Sequence, residues 1–189
     1  MTKNIVVAIQ QSLGLDSFDK IDPNLESENH GTEHDSKHFV QAAVTGVLAG
    51  LYKYTSIKDG TAELFAHPQA ENILQQLFGD KEEYIIGSVS SYGEKPYDHT
   101  RLFMEKIAQE AINIIGEQTG PNPTSEQVRS YLITQRHNIL VYLPPALQVG
   151  SLINDNVLDD RTNKMEGPVS NLMHFFEQLF TEKEKPAPH

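Results

Sequence analysis

FVQAAVTGVLAGLYKY, residues 39–54, is the stretch whose reading decides the fold. Read as a helix it is apolar nearly all round, with the small residues Ala42, Ala43, Gly46, Ala49 and Gly50 crowded along it. A helix of that kind belongs in the middle of a helical core, because it has no polar side to give to water. A bilayer span needs about 20 predominantly apolar residues, and this run is too short and is interrupted by Gln41 and Thr45. The helix is expected from Ser36, a suitable N-cap, to about Thr55. Gly46 and Gly50 form a GxxxG pair, which in a soluble helix serves mainly to let a neighbouring helix come close.

Outward from this helix the helical period recurs. On the N-terminal side, Ile5, Val6, Ile9 and Leu13 share one face of a short helix over residues 3–13, with Gly14 as its stop. On the other side, short helices are expected at 58–66 and 69–78, the latter entered through Pro68 and closed by Gly79. Another is expected from Asp80 to Tyr92, ended by Gly93. The longest amphipathic pattern runs from Tyr97 to about Gln118, with Phe103, Ile107, Ala111, Ile114 and Ile115 on its apolar stripe. Thr124 and Gln127 spell a capping box before Val128, Tyr131 and Leu132. Pro144 and Pro145 then force a helix to begin or kink, and a last helix is expected from Gly167 and Pro168 through Phe180. No extended strand-type alternation and no fixed repeat interrupts this pattern. The fold class is therefore all-α: one domain, a multi-helix bundle of about 7–9 helices with a polar N-terminal arm. Its parts are a docking helix over 1–21, a flexible polar linker over 22–37, a helical core over 38–181 and a solvated tail over 182–189.

Composition removes several classes of function. The formal charge of −11, from 15 Lys and Arg against 26 Asp and Glu, repels phosphate backbones and anionic membrane surfaces. Nucleic-acid binding and membrane insertion are accordingly not expected. The absence of cysteine removes disulfides, thiolate nucleophiles and iron–sulfur clusters, and fits a reducing cytoplasm. IVVAI near the N-terminus is cut short by Gln10 and Gln11, so it does not read as a signal peptide. Phosphate-binding glycine loops and the GxSxG nucleophile motif do not occur, and no cofactor is expected. Ser88, Ser90 and Ser91 read as polar residues of a helix end.

Two polar stretches are candidate sites. In LINDNVLDDRTNKMEGPVSNLM, residues 152–173, Asp155, Asp159 and Glu166 occupy positions one, five and twelve of a calcium loop. Val157 at position three and Asp160 at position six, where a glycine makes the sharp turn, break that match. The simpler reading is a structured connector whose Asn154, Asn156, Asp159, Asp160 and Arg161 satisfy the polar groups of two helix ends. Between these lies a recognition patch in which Arg136 and His137 join Asn154, Asp155, Asn156, Asp159, Asp160 and Arg161. The second stretch is ENHGTEHDSKH, where His30, His34 and His38 recur every four residues among acidic neighbours. On a helix that spacing aligns imidazoles for a zinc-like ion, but Gly31 and the linker composition oppose a preformed helix.

AAVTGVLAGLYKYTSIKDGTAELF, residues 42–65, is an apolar small-residue helix followed by a turn at Gly60 and a helix ending in Leu-Phe. It resembles the YidB-like family of small bacterial proteins, a domain of unknown function, as does YLPPALQVGSLI at residues 142–153. The resemblance covers about two-thirds of the chain and implies a helical, bacterial protein. It puts no residue into a role, and the chain departs from the family pattern in having fewer glycines and a long polar arm. The expectation is a cytoplasmic, non-enzymatic binding or scaffold module that acts through an apolar groove or the 154–166 loop. Its partner is another protein or a second copy docked through the C-terminal amphipathic helix. The alternative is a metal-dependent sensor or enzyme built on His30, His34 and His38 or on Asp155, Asp159 and Glu166.

Overall fold

The computed structural model describes residues 3–20, 32–57, 64–65, 72–120, 123–144 and 147. Helix α1 spans Ile5–Leu13, α2 Thr32–Ile57, α3 Ile73–Phe78, α4 Glu82–Tyr92, α5 Tyr97–Thr119 and α6 Ser125–Leu140. A 3-10 turn, Gly79–Lys81, joins α3 to α4, and no strand occurs among the described residues.

The helix boundaries follow from local chemistry. Asn4 caps α1 by accepting hydrogen bonds from Val6 N at 2.9 Å and Val7 N at 3.3 Å. Gly14 ends α1 in the left-handed region, with φ 63 and ψ 38, which costs glycine nothing. Gly79 ends α3 with φ 56 and ψ −132, a different positive-φ conformation that also suits glycine. The capping box of α6 is complete: Thr124 Oγ1 accepts from Gln127 N at 3.2 Å and Gln127 Oε1 accepts from Thr124 N at 2.8 Å. Helix α2 starts four residues before Ser36, at Thr32, within the stretch expected to be linker. The first turn expected of a helix from Asp80 is 3-10, and the regular α4 starts at Glu82.

Helix α2 packs against each of α1, α3, α4, α5 and α6. Its residues Ala42, Ala43, Val44, Val47, Leu48, Ala49 and Leu51 are fully buried in one continuous apolar core. Beside it, α5 buries Met104, Ile107, Ala108, Ala111, Ile112, Ile114 and Ile115. Its face is thus turned from the expected stripe: Phe103 lies at the edge, Met104, Ala108 and Ile112 go inside, and Leu102 stands in solvent, 72% exposed. From α6 come Val128, Tyr131, Leu132, Gln135 and Ile139.

Where neighbouring helices meet the small residues, the approach is close at two places and not at a third. A Cβ on Gly50 would stand 2.2 Å from Phe78 Cε1, and one on Gly93 would stand 2.5 Å from the Cβ of the buried Phe39. A Cβ on Gly46 would meet Val89 Cγ2 at 3.8 Å, an ordinary van der Waals distance. Gly93→Ala should therefore cost about 1–3 kcal/mol through overpacking, because the Phe39 Cβ is fixed to its own helix. Gly50→Ala should cost less than Gly93→Ala, since the half-exposed Phe78 ring can swing aside. Gly46→Ala should be neutral or gain up to about 1 kcal/mol from helix propensity. Urea unfolding of the three variants checks this order, and a Gly46→Ala loss as large as that of Gly93→Ala would contradict the packing.

Candidate functional site

The sequence-predicted site residues distribute as follows. His30 and the whole of Asn154, Asp155, Asn156, Asp159, Asp160, Arg161 and Glu166 lie outside the described residues. His34 lies on the first turns of α2. His38, one turn further along α2, is half-buried, and its imidazole stacks on the Tyr92 ring with centroids 6.3 Å apart and planes 23° apart. Arg136 is half-buried on α6 and His137 is exposed beside it. His137 also contributes its backbone carbonyl to the end of the helix, accepting from Val141 N at 3.2 Å. Among the described residues no group of three or more His, Cys, Asp or Glu side chains converges as metal ligands would.

What the described residues bring together instead is a set of buried amides. Gln135, 1% exposed on α6, accepts through Oε1 from Ile5 N at 3.1 Å and from its neighbour Asn138 Nδ2 at 2.9 Å. It satisfies one of the orphan N–H groups at the start of α1 from a helix 130 residues away in sequence. Gln10 on α1 donates Nε2 to Asp16 O at 2.7 Å and folds the following segment back. Gln41 on α2 donates Nε2 to Asp19 O at 3.0 Å and to Tyr142 O at 2.8 Å. The hydroxyls behave alike: Thr45 bonds Gln41 O, Ser88 bonds Tyr84 O, Ser90 bonds Lys95 O and Thr100 bonds Pro96 O. Ser88 and Ser90 thus serve the backbone of α4 and its end.

A second polar cluster joins α3, α4 and α5. Arg101 Nε donates to Glu82 Oε1 at 3.1 Å, and Glu105 Oε1 accepts from Leu74 N at 3.4 Å. Burial is the main influence on Glu105 and raises its carboxyl above the ordinary value, with Glu82 adding to the rise while Leu74 N, Ile73 N and Arg101 oppose it. Lys53 on α2 is pushed down by burial. Tyr131 on α6 differs from the rest: its hydroxyl is buried with no hydrogen-bond partner among the described residues, and burial pushes its pKa up to about 12.

Around the N-terminal half of α2 the rings gather. Phe39 lies between His99, at 5.7 Å, and Phe103, at 5.4 Å, and His99 stacks on Phe103 with planes 14° apart. His38 and His99 therefore present their faces to aromatic neighbours, which is packing. The sequence carries a signal for these amides. Gln41 sits inside the most apolar run, and Gln135 falls one turn after Tyr131 and Leu132 on the buried face of α6. A polar amide at a core register needs buried partners, and that need is what marks it.

No protein-family model matches the chain, and it matches no curated protein and no solved structure.

Two outcomes follow from the buried ionisable groups. A carboxyl raised in the folded state costs nothing below its unfolded value of 4.5, where it is neutral in both states, and its cost grows as pH rises through that value. Glu105→Gln keeps an acceptor for Leu74 N, so its Tm should equal that of the parent near pH 4 and exceed it at pH 7; a lower Tm at pH 7 would refute the assignment. Tyr131→Phe should be neutral or stabilising by about 1 kcal/mol at pH 7, since it deletes an unpartnered hydroxyl. It should also resist alkali better, because the parent loses stability as pH climbs from 10.0, where the unfolded phenol ionises, to about 12.

Proposed function

We propose that this chain is a non-enzymatic helical binding or scaffold module, bacterial and cytoplasmic. The observation that carries the reading is the use made of its buried polar groups. Each of Gln10, Gln41, Thr45, Thr55, Thr100 and Gln135 bonds backbone atoms, and Glu82 pairs with Arg101. These side chains hold helix ends and connecting segments, which is a structural use of buried polar groups. Such a framework suits recognition by what it displays. The display is the 154–166 loop with Arg136 and His137 beside the segment that leads to it, or an apolar groove. With a formal charge of −11, the partner that fits is a protein surface rich in Lys and Arg, steered in at low ionic strength and released by salt.

Native mass spectrometry of the protein purified without added metal, before and after chelator and with a thermal melt of each sample, tests it. The expected species carries no stoichiometric ion and has the same Tm in both samples. A bound ion whose removal lowers Tm contradicts the reading and favours the metal-dependent alternative on His30, His34, His38, Asp155, Asp159 and Glu166.

A further inference from the structure

Gln41 is 3% exposed and stands on α2 between two stretches of chain that have no helical partner of their own. One is the segment over residues 15–20 that follows α1, and the other is the turn over residues 141–144 that follows α6. An amide nitrogen has two hydrogens, and Gln41 gives one to each stretch, to Asp19 O at 3.0 Å and to Tyr142 O at 2.8 Å. Both donors are thereby used. The two stretches also touch directly, since Phe18 meets the Tyr142 ring edge to face with centroids 6.1 Å apart. Phe18 is only 8% exposed, so the ring pair is held largely out of water, as the amide is. The Lys37 to Asp19 ion pair, 2.6 Å long, lies outside with Asp19 74% exposed, and it adds little to such a joint.

If either stretch lifts, the arrangement loses more than its own contacts. Departure of residues 15–20 removes the ring packed against Tyr142 and one of the two acceptors of Gln41 Nε2. Departure of residues 141–144 removes the other acceptor and the ring packed against Phe18. Each stretch thus loses part of its own hold when the other leaves, so the half-open states are disfavoured by the lost ring contact. We propose that residues 15–20 and 141–144 form one conformational clasp closed by Gln41, which opens as a unit and couples the segment after α1 to the chain leaving α6. The coupling is reciprocal, as any equilibrium linkage between two sites must be.

Amide exchange of the full chain across low denaturant reads this directly. The reporters are Leu15 N, bonded to Gln10 O at 2.8 Å, and Tyr142 N and Leu143 N, bonded to Ile139 O and Leu140 O at 3.2 Å. In the parent protein these amides should share one opening free energy and one denaturant slope, smaller than the slope of the core amide of Ile112. Unequal slopes, or a shared slope equal to that of Ile112, overturn the proposal. In Phe18→Ala, exchange at Tyr142 and Leu143 should rise about tenfold, the effect of losing one aromatic pair and its buried area, while Ile112 is unchanged. Faster exchange at Leu15 with Tyr142 and Leu143 unmoved overturns it, and the parent series decides alone if the variant does not fold.

Discussion

The structure depends on one constraint: a helix that is apolar on all sides must be covered on all sides. Helix α2 meets this by taking α1, α3, α4, α5 and α6 around it, with Ala42, Ala43, Val44, Val47, Leu48, Ala49 and Leu51 completely buried. Covering a helix this fully needs room, and room comes from small side chains. Gly50 admits the Phe78 ring and Gly93 admits Phe39, so close approach is made both on the central helix and toward it. Burial of this kind stabilises by roughly 25 cal/mol for each Å² of apolar surface removed from water, which favours any arrangement of covering helices about equally. Something more directional has to select one arrangement.

The buried amides supply that direction. Gln135 fixes where α1 begins by accepting from Ile5 N, Gln10 turns the chain after α1, and Gln41 anchors that returning chain together with the turn after α6. A hydrogen bond of net worth about 1 kcal/mol adds modestly to stability, but its loss in a wrong arrangement leaves a buried polar group unpaired. Misplaced packings are penalised accordingly, and the short α1 acquires a unique seat. The ion pairs contribute differently. Lys37 with Asp19 reaches solvent and organises the surface with little energetic weight, whereas the half-exposed Arg101 pairs with the buried carboxylate of Glu82.

Much of this was legible in the sequence, and the exceptions have physical causes. Periodicity placed α5 at Tyr97–Thr119 to within a residue of its expected end, and the Thr124 and Gln127 spacing announced a capping box that forms through both hydrogen bonds. The glycine stops at positions 14 and 79 both take positive φ, which ends a right-handed helix. Periodicity did not fix the rotation of α5, because Leu102, Phe103 and Met104 are consecutive apolar residues and only the neighbours decide which of them turns inward. The start of α2 was missed for a related reason: a charged run reads as linker until the helix behind it is anchored. The candidate site shows the sharper limit. His38 carries the spacing of a metal ligand, yet the ring of Tyr92, brought from the end of α4, gives it a stacking partner that no spacing within α2 reveals.

Taken together, the apolar wall of α2 sets what must be covered and the amides set how, so the covering helices have little stability apart from it. The direct measurement is an equilibrium urea titration followed at once by far-UV circular dichroism and by tyrosine fluorescence. The tyrosines suit this because they are spread over α2, α4, α5, α6 and the turn after α6, at positions 52, 54, 84, 92, 97, 131 and 142. The account predicts a single transition with the same midpoint and slope by both probes, since no helix keeps its shape once α2 is uncovered. Two separated transitions, with helix content surviving the loss of tyrosine environment, would contradict it.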